Sequence, residues 1–402
     1  MGNQLTRLHV KNFRSLADVS VETRPINVFF GPNGSGKSTL LEAIRLVKDC
    51  ISRDVEEAVR TRHNGHGMLW QRVGQSIDEW KGISITLETV LAEYTLRLEF
   101  LRGQIQPYAG EVLYSKEKKV RLINRRTNSD EANFYNHEEN SIVQTSLTFP
   151  EKLALMQYMQ GQGHTPSAVF NLLNLLTFIH FYHSHYIGLH GLKHRGSESG
   201  MDISLREDGG NLWSVLRNIR DKSAIDSRYA TIISFMRKSF PNFKDLVFDP
   251  AGPNAIYASF AQKNLQYPIS ALNESEGQLQ MLILLTALFA QENENDMLIL
   301  FDEPETSLHP YAISIFAEAV KQATKKWNKQ VFIATHSPVL ISQFDLEDIL
   351  TTELEDSGQT VLTRVSEMKD IQDLLEDYAA GSLYMAEAIA PQSAPYTQEK
   401  VE

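Results

Sequence analysis

One short stretch of this 402-residue sequence leaves few folds open. It is the glycine-rich run Gly31-Pro32-Asn33-Gly34-Ser35-Gly36-Lys37-Ser38, which follows an apolar run and precedes apolar residues at helical spacing. Glycines let a loop wrap its backbone N–H groups around phosphate oxygens, and a helix that starts there adds the positive end of its dipole. The context therefore predicts a buried strand, a phosphate-binding loop and a helix in an α/β fold, rather than a simple glycine-rich turn.

Individual residues of this loop have distinct expected roles. The ammonium of Lys37 can reach the β- and γ-phosphates of a nucleotide, and the hydroxyl of Ser38 can coordinate Mg²⁺. The other residues expected to contact the nucleotide are Asn33, Gly34, Ser35, Gly36 and Thr39. The loop thus predicts a nucleoside triphosphate site that uses Mg²⁺.

A second motif places two carboxylates directly after an apolar run. Residues 298–301 predict a buried parallel strand, and Asp302 and Glu303 follow it. Ligands bind at the carboxyl ends of such strands. Asp302 can hold Mg²⁺, and Glu303 can orient or deprotonate an attacking water. Alone this pattern could be an acidic turn, but beside the glycine-rich loop it predicts a catalytic site.

Two further motifs are suited to contact phosphate. His336 follows the apolar run 331–334, where its ring can sense a γ-phosphate by hydrogen bonding, although a lone histidine is usually structural. Ser275 and Gly277 stand where the apolar helix 279–289 begins. A hydroxyl, free N–H groups and a helix dipole together make an anion site. In isolation, the same serine is a good helix N-cap.

The rest of the chain is organised around these motifs. Alternating apolar and polar residues predict strands and hairpins at 8–21, 83–87, 94–100 and 112–122. Residues 127–148 are polar and predict a mobile loop, whereas residues 150–240 have mainly helical spacing. The polar, proline-containing segment from about residue 391 predicts a disordered tail.

Composition limits the possible partners. The net charge of −11 argues against a protein that binds nucleic acid over its whole surface. It leaves open a local binding role for a basic cluster, although such a run is usually a solvated hairpin. That cluster comprises Lys116, Lys118, Lys119, Arg121, Arg125 and Arg126. The single cysteine, Cys50, excludes an intramolecular disulfide and suits a reducing cytosol, so a cytoplasmic location is expected.

A run of histidines allows two interpretations. It comprises His180, His183, His185, His190 and His194. A metal site is conceivable because His183 and His185 would share one face of a strand. However, no cysteine or acidic residue lies among them and the flanking residues are aromatic, which favours a packed aromatic–histidine strand.

Taken in order, these motifs resemble the ABC/SMC-type ATPases, and most closely the stand-alone AAA-like ATPases grouped with the RecF and overcoming-lysogenization-defect (OLD) proteins. The resemblance is carried by the loop above and by Asn12-Phe13-Arg14-Ser15, Ser275-Glu276-Gly277-Gln278, Asp302-Glu303-Pro304-Glu305, Ser307-Leu308-His309-Pro310 and Thr335-His336-Ser337-Pro338. It implies an α/β P-loop NTPase head of ABC-ATPase type, with a mixed sheet, flanking antiparallel β-hairpins and a helical insert. It also implies ATP and Mg²⁺ as ligands.

For the site, the resemblance implies that Lys37, Glu303 and His336 are catalytic and that Arg14 lies near the nucleotide. Ser275 and Gly277 would contact ATP bound to a partner subunit, in a head-to-head dimer or a higher oligomer of such dimers. The glutamine of the family's Q-loop is not evident. Gln71 and Gln75 are candidates, and Gln71 is preferred.

The predicted division of the chain follows from these assignments. We expect an N-terminal ATPase lobe at 1–148 and a mainly helical insert or lid at 149–245. A C-terminal lobe follows at 246–385, and 386–402 forms a disordered tail. The interval between the loop and Ser275 shows no sustained heptads, so a compact head without a long coiled coil is expected. The residues after His336 lack the spaced acidic set of a Toprim nuclease, so any nuclease activity is expected of a partner.

The function implied by the resemblance is an ATP-driven switch. ATP binding would close a dimer, hydrolysis would open it, and a separate effector such as a nuclease or toxin, or a nucleic acid, would respond. The expected setting is anti-phage defence or DNA maintenance, without a membrane. Two alternatives remain open at this stage: a motor subunit of an ABC membrane transporter, and a nucleotide-dependent scaffold with little turnover.

Overall fold

The computed structural model describes residues 4–62, 65–70, 81–101, 104–161, 166–250, 254–290 and 297–391. Its strands form three sheets, and its helices lie between and around them. The helices are α1 (Lys37–Ser52), α2 (Val55–Arg60), α3 (Ala154–Gly161), α4 (Ser167–Thr177), α5 (Leu189–Arg195), α6 (Leu212–Asp221), α7 (Arg228–Ser239), α8 (Glu276–Phe289), α9 (Pro310–Trp327), α10 (Pro338–Ile341), α11 (Gln372–Asp377) and α12 (Ala380–Met385).

The first sheet is nine-stranded and antiparallel, with the order β10-β9-β8-β7-β5-β4-β1-β2 and β6 paired to β5. Its strands are β1 (Leu5–Phe13), β2 (Leu16–Glu22), β4 (Lys81–Thr89), β5 (Ala92–Leu101), β6 (Gln104–Ile105), β7 (Gly110–Ser115), β8 (Val120–Arg125), β9 (Glu131–Asn136) and β10 (Ser141–Ser146). Alternate residues such as Leu8, Val10 and Ile85 are buried and pack towards α1. The hairpins predicted at 8–21 and 112–122 are confirmed.

The second sheet is six-stranded and forms the centre of the molecule, in the order β11-β16-β17-β3-β18-β19. Its strands are β3 (Ile26–Phe30), β11 (Ile179–His183), β16 (Met297–Asp302), β17 (Lys329–Thr335), β18 (Ile349–Leu354) and β19 (Thr360–Arg364). Every residue of β3, β16 and β17 is buried, because helices cover both faces of the sheet. Strands β11, β16, β17 and β3 run parallel, so their carboxyl ends meet at one edge.

The third sheet is four-stranded, with β12-β14-β13 in order and β15 paired to β14. Its strands are β12 (Ser197–Glu198), β13 (Phe243–Pro250), β14 (Ala255–Gln262) and β15 (Ile269–Ser270). Helix α8 is buried on all sides from Leu279 to Phe289, where α7 and α9 pack against it. These observations give an α/β head in which one face of the central sheet packs on α1 and the other on α8 and α9.

Two sequence predictions about irregular segments are wrong. Residues 131–146 form the hairpin β9–β10 rather than a mobile loop, with Ala132 and Phe134 buried against the sheet. The signal was weak because β10 is an edge strand whose residues are mostly solvent-exposed. The tail predicted from 386 also begins too early, because Ile389 and Ala390 are buried in the same hydrophobic cluster as Leu383 of α12. Residues 392–402 lie outside the described part of the chain.

The segment predicted as a helical insert, 149–245, also supplies a strand of the central sheet. It contains α3, α4, α6 and α7, as expected, but also β11, which pairs in parallel with β16. The aromatic–histidine strand predicted for the histidine run is present at Ile179–His183, but the sequence did not indicate that it joins the central sheet. This strand matters for the site, because it ends beside Asp302.

The predicted basic cluster is not a uniform surface patch. Arg125 is buried with a side chain 0% exposed, 3.8 Å from Glu111, and its guanidinium donates to the carbonyl oxygens of Ser129, Pro150 and Lys152. Burial lowers the pKa of Arg125 and raises that of Glu111. The Glu111 carboxylate also accepts hydrogen bonds from the N–H groups of Ala154 and Leu155 at the start of α3. Arg125 therefore joins β8 to the chain that enters α3.

Within the described residues, no helix combines the length and the apolar composition needed to cross a bilayer.

Candidate nucleotide-binding site

The glycine-rich loop connects the end of β3 to α1 and is held by β18 and β19. At Gly31, with φ of 154°, an added Cβ would lie 2.0 Å from the carbonyl oxygen of Thr352. At Gly36, with φ of 107°, it would lie 2.3 Å from Oγ1 of Thr360. Neither position tolerates a side chain, because the neighbouring strand occupies that space. The Ser35 hydroxyl pairs with Oγ1 of Thr352 at 2.5 Å, so its side chain fixes the loop.

Lys37 lies inside this loop. Its Nζ donates to the carbonyl oxygens of Gly31 at 2.9 Å and Pro32 at 2.8 Å, and the residue is 5% exposed. Burial lowers the pKa of Lys37 to about 8, against the opposing effect of the nearby carboxylates of Asp302, Glu303 and Glu305. The side chain is thus a cation enclosed by backbone acceptors, within the loop that would surround a phosphate group.

Ser38 and Asp302, predicted as the Mg²⁺ ligands, are in direct contact. Oγ of Ser38 donates to Oδ1 of Asp302 at 2.9 Å. Asp302 is 1% exposed, and burial raises the pKa of its carboxyl group to about 7. Among the described residues, its Oδ2 accepts no hydrogen bond although the atom is buried. A hydroxyl beside a carboxylate with an unsatisfied oxygen suits Mg²⁺, which prefers oxygen ligands.

Glu303 follows Asp302 in a strained backbone conformation. Its φ is 52°, in the left-handed region that non-glycine residues seldom adopt, and its N–H donates to the carbonyl oxygen of Ala334 at 2.9 Å. Its side chain is 36% exposed. Strain of this kind costs about 1–3 kcal/mol and is common at functional sites. The turn directs Glu303 away from the core, where its carboxylate can contact water.

His336, at the end of β17, is held by Glu305. Oε1 of Glu305 accepts from Oγ1 of Thr335 at 2.6 Å and from the backbone N–H of His336 at 2.9 Å. Burial raises the pKa of Glu305. Burial, and then the charge of Lys37, lower the pKa of His336, which favours its neutral ring. Glu305 was not among the predicted site residues, although it lies within the acidic motif.

Ser275 and Gly277 make contacts within their own chain. Oγ of Ser275 accepts from the N–H of Gln278 at 3.3 Å, so the serine caps α8. An added Cβ at Gly277 would lie 2.6 Å from the carbonyl oxygen of Ser307. Lys193 donates to the carbonyl oxygen of Glu274 at 2.7 Å. These contacts fix the start of α8 against the segment that follows Glu305.

A cavity of about 520 Å³ lies beside the loop and along α1. Its lining includes Arg14, Ser38, His183 and Asp302. Arg14 has a φ of 50° at the tip of the β1–β2 hairpin, with its guanidinium 5.4 Å from the centre of the Phe13 ring.

The other residues predicted to contact the nucleotide are less informative. Asn33 and Gly34 are exposed in the loop, and Thr39 is half-buried in α1. Gln71 and Gln75, the Q-loop candidates, lie outside the described residues.

The histidine run does not form one cluster: His180 lies within β11, and the other four histidines form two pairs. His183 ends β11 directly opposite Asp302, with Nε2 3.5 Å from Oδ2 of that residue. His185 lies in the following turn rather than on the strand, with Nε2 3.8 Å from Oε2 of Glu303. His190 and His194 pack against each other on α5, with ring centres 4.3 Å apart. The described residues contain no group of three or more histidine, cysteine or acidic side chains placed to hold a metal ion.

Comparison with known proteins shows which family has this arrangement of motifs. The family model described as "AAA domain" matches residues 7–144, and the one described as "AAA domain, putative AbiEii toxin, Type IV TA system" matches residues 181–342. The OLD nuclease of Thermus scotoductus is 21% identical over 373 residues, which is 90% of this chain and 64% of that nuclease. The chain belongs to the ABC/SMC-like P-loop ATPases of the RecF and OLD type.

Other relatives of this ATPase family match different extents of the chain. RecF of Acinetobacter baylyi is 44% identical over 45 residues, which is 11% of this chain and 13% of RecF. The fold is similar to that of an SMC head, in a structure where that head is bound to the C-winged helix domain of ScpA. The TM-score is 0.52, with 15% identity over 92% of this chain and 99% of that one. The chain therefore spans less than two thirds of the length of the OLD nuclease and a small part of RecF.

Proposed function

We propose that this chain is a Mg²⁺-dependent ATPase that acts as an ATP-driven dimerisation switch and controls a partner effector. The observation that carries the proposal is the convergence of Lys37, Ser38, Asp302, Glu303 and His336 on one edge of the central sheet. These groups comprise a phosphate-binding cation, a metal-binding pair, a carboxylate open to water and a neutral histidine. Phosphoryl transfer requires positioning and charge stabilisation by groups of these kinds.

Each side chain has a role that follows from its position. The loop N–H groups and Lys37 hold the phosphates, for which Nζ would exchange the carbonyl oxygens of Gly31 and Pro32 for phosphate oxygens. Ser38 and Asp302 would hold Mg²⁺, which neutralises charge on the β- and γ-phosphates. Glu303 orients the attacking water and accepts its proton. The neutral ring of His336 donates a hydrogen bond to the γ-phosphate.

The dimer is supported by the start of α8. Free N–H groups and the helix dipole make this end attractive to an anion, and the structure fixes it against the segment after Glu305. In the proposed dimer, Ser275 and Gly277 of one subunit contact the γ-phosphate bound by the loop of the other. ATP then links the two subunits, and hydrolysis releases them. The two lobes, 1–148 and 246–385, are proposed to move as parts of this switch.

The proposed setting is anti-phage defence or DNA maintenance in the cytoplasm. The names of the matched relatives, a nuclease and a DNA replication and repair protein, support this class of role. The toxin named in one family description supports an effector of the nuclease or toxin kind. A scaffold that binds ATP without turnover would use the same loop, and a phosphate-release assay with the purified chain separates it from an ATPase.

Lys37→Ala is expected to abolish both nucleotide binding and hydrolysis while leaving the fold intact. The reason is that Lys37 is the cation enclosed by the loop. Isothermal titration with a non-hydrolysable ATP analogue measures binding, and phosphate release measures turnover. Lys326→Ala, at an exposed position of α9, is the matched control and should behave as wild type. Unchanged affinity in Lys37→Ala would reject the assigned role.

Mixing two inactive variants tests the shared site. Ser275→Arg should block hydrolysis by crowding the partner's γ-phosphate, yet retain binding at its own loop. In a heterodimer with Lys37→Ala chains, one site combines the wild-type Lys37 of the first chain with the wild-type Ser275 of the second. Part of the activity should therefore return on mixing, provided that one site can act alone.

Cysteines placed across the interface would report closure independently of turnover, and Lys326→Ala again serves as the control in the mixture. Wild-type hydrolysis by Ser275→Arg alone would contradict the shared site and leave Ser275 as a helix cap only.

A further inference from the structure

The histidine at the end of β11 occupies a position that the proposed mechanism does not use. Strands β11 and β16 run parallel, and their register sets His183 directly opposite Asp302. Residues opposite each other in a parallel pair project to the same side of the sheet. His183 also lines the cavity that Ser38 and Asp302 line. Its ring therefore faces the predicted cation site rather than the protein interior.

The tautomer of His183 follows from a backbone contact. The N–H of His185 donates to Nδ1 of His183 at 3.1 Å, so Nδ1 must carry a lone pair. In a neutral ring the proton then lies on Nε2. The ring also packs on Tyr186 with centres 4.7 Å apart, which limits its rotation.

The Nε2–H group faces Oδ2 of Asp302, a buried acceptor without a hydrogen-bond donor among the described residues. Oδ1 of Asp302 is taken by the Ser38 hydroxyl, whereas Oδ2 is buried and accepts no hydrogen bond within the described part of the chain. Nε2 of His183 lies 3.5 Å from this oxygen, slightly beyond the usual hydrogen-bond length. A small rotation of either side chain would close that gap.

We propose that His183 is a positioning residue for the cation site, which donates its Nε2–H to Oδ2 of Asp302 and so orients the carboxylate that would hold Mg²⁺. The inference rests on the proposed function only in that the ligand is Mg²⁺-ATP. Groups that orient metal-binding side chains in this way typically change metal affinity or activity by about 10–100-fold when removed.

Two substitutions separate hydrogen bonding from packing. His183→Phe keeps a ring that can pack on Tyr186 but has no donor, whereas His183→Gln loses the ring and keeps an N–H donor at a similar reach. Binding of a fluorescent, non-hydrolysable ATP analogue by the full chain is measured against Mg²⁺ concentration, and phosphate release is measured in parallel. His190→Ala, from the same histidine run but on α5, is the control.

We expect the half-saturating Mg²⁺ concentration to rise by about tenfold or more in His183→Phe, and to stay close to wild type in His183→Gln and His190→Ala. A His183→Phe chain with the wild-type Mg²⁺ dependence overturns the inference. Equal rises in both His183 variants also overturn it, because packing would then explain the effect. If the wild-type protein shows no turnover but the variants show the expected Mg²⁺ dependence, hydrolysis is rejected and the inference stands. A wild type that binds no nucleotide rejects both.

Discussion

Glu303→Gln is expected to slow ATP hydrolysis by about 10²–10⁴-fold while leaving ATP binding intact. The amide keeps the size of the side chain and its strained backbone position, with φ of 52°, but it cannot accept a proton from the attacking water. If ATP closes the dimer and hydrolysis opens it, this variant also accumulates the closed form. Single-turnover phosphate release measures the first effect, and size-exclusion chromatography with ATP measures the second.

Glu318→Gln on α9 is the matched control, because its carboxylate is half exposed and lies in a surface pair with Lys238. It should hydrolyse ATP at the wild-type rate and remain in the wild-type oligomeric state. Wild-type turnover in Glu303→Gln would reject Glu303 as the catalytic base. Slow turnover without a larger species would retain the base and reject the switch.

Arg125→Ala is expected to reduce the free energy of unfolding by about 3–5 kcal/mol. The substitution leaves the buried Glu111 carboxylate without its cation, and it removes the donor that satisfies the carbonyl oxygens of Ser129, Pro150 and Lys152. Urea titration followed by tryptophan fluorescence and by circular dichroism gives the change for each variant.

The neighbouring Arg126 is exposed and provides a matched control. Arg126→Ala should change the free energy of unfolding by no more than about 0.5 kcal/mol. Similar losses in the two variants would contradict the structural role of Arg125. The comparison also decides how the basic cluster is tested, because any assay of nucleic-acid binding must change its exposed residues and leave Arg125 in place.

Motifs contained in one short segment of the chain could be predicted from the sequence. The buried strand and the helix predicted on either side of the glycine-rich loop are present as β3 (Ile26–Phe30) and α1 (Lys37–Ser52). The pairing of Ser38 with Asp302 was implied by their common task, and the structure brings them to 2.9 Å. The family and the fold class followed from the order of these motifs and are confirmed.

Features that depend on the order of strands in the sheet could not be predicted from the sequence. Strand β11 is short and apolar, so only its pairing with β16 reveals that His183 stands beside Asp302. A polar residue at the end of an apolar run, as at Asp302 and His336, was the signal that could have suggested it. Likewise, Arg125 has the sequence context of a solvated hairpin, and only tertiary packing against residues 150–155 buries it.

The sequence by itself predicted a phosphate-binding glycine-rich loop, and carboxylates and a histidine at the ends of parallel strands, because backbone geometry and side-chain chemistry make those patterns specific. Tertiary structure alone decided which further residues join that edge. Strand order sets which side chains lie opposite one another, and that order is fixed by packing between segments far apart in the chain. For this reason only the structure shows that Glu305 and His183 lie at the site. It likewise shows that Arg125, expected on a solvated hairpin, is buried.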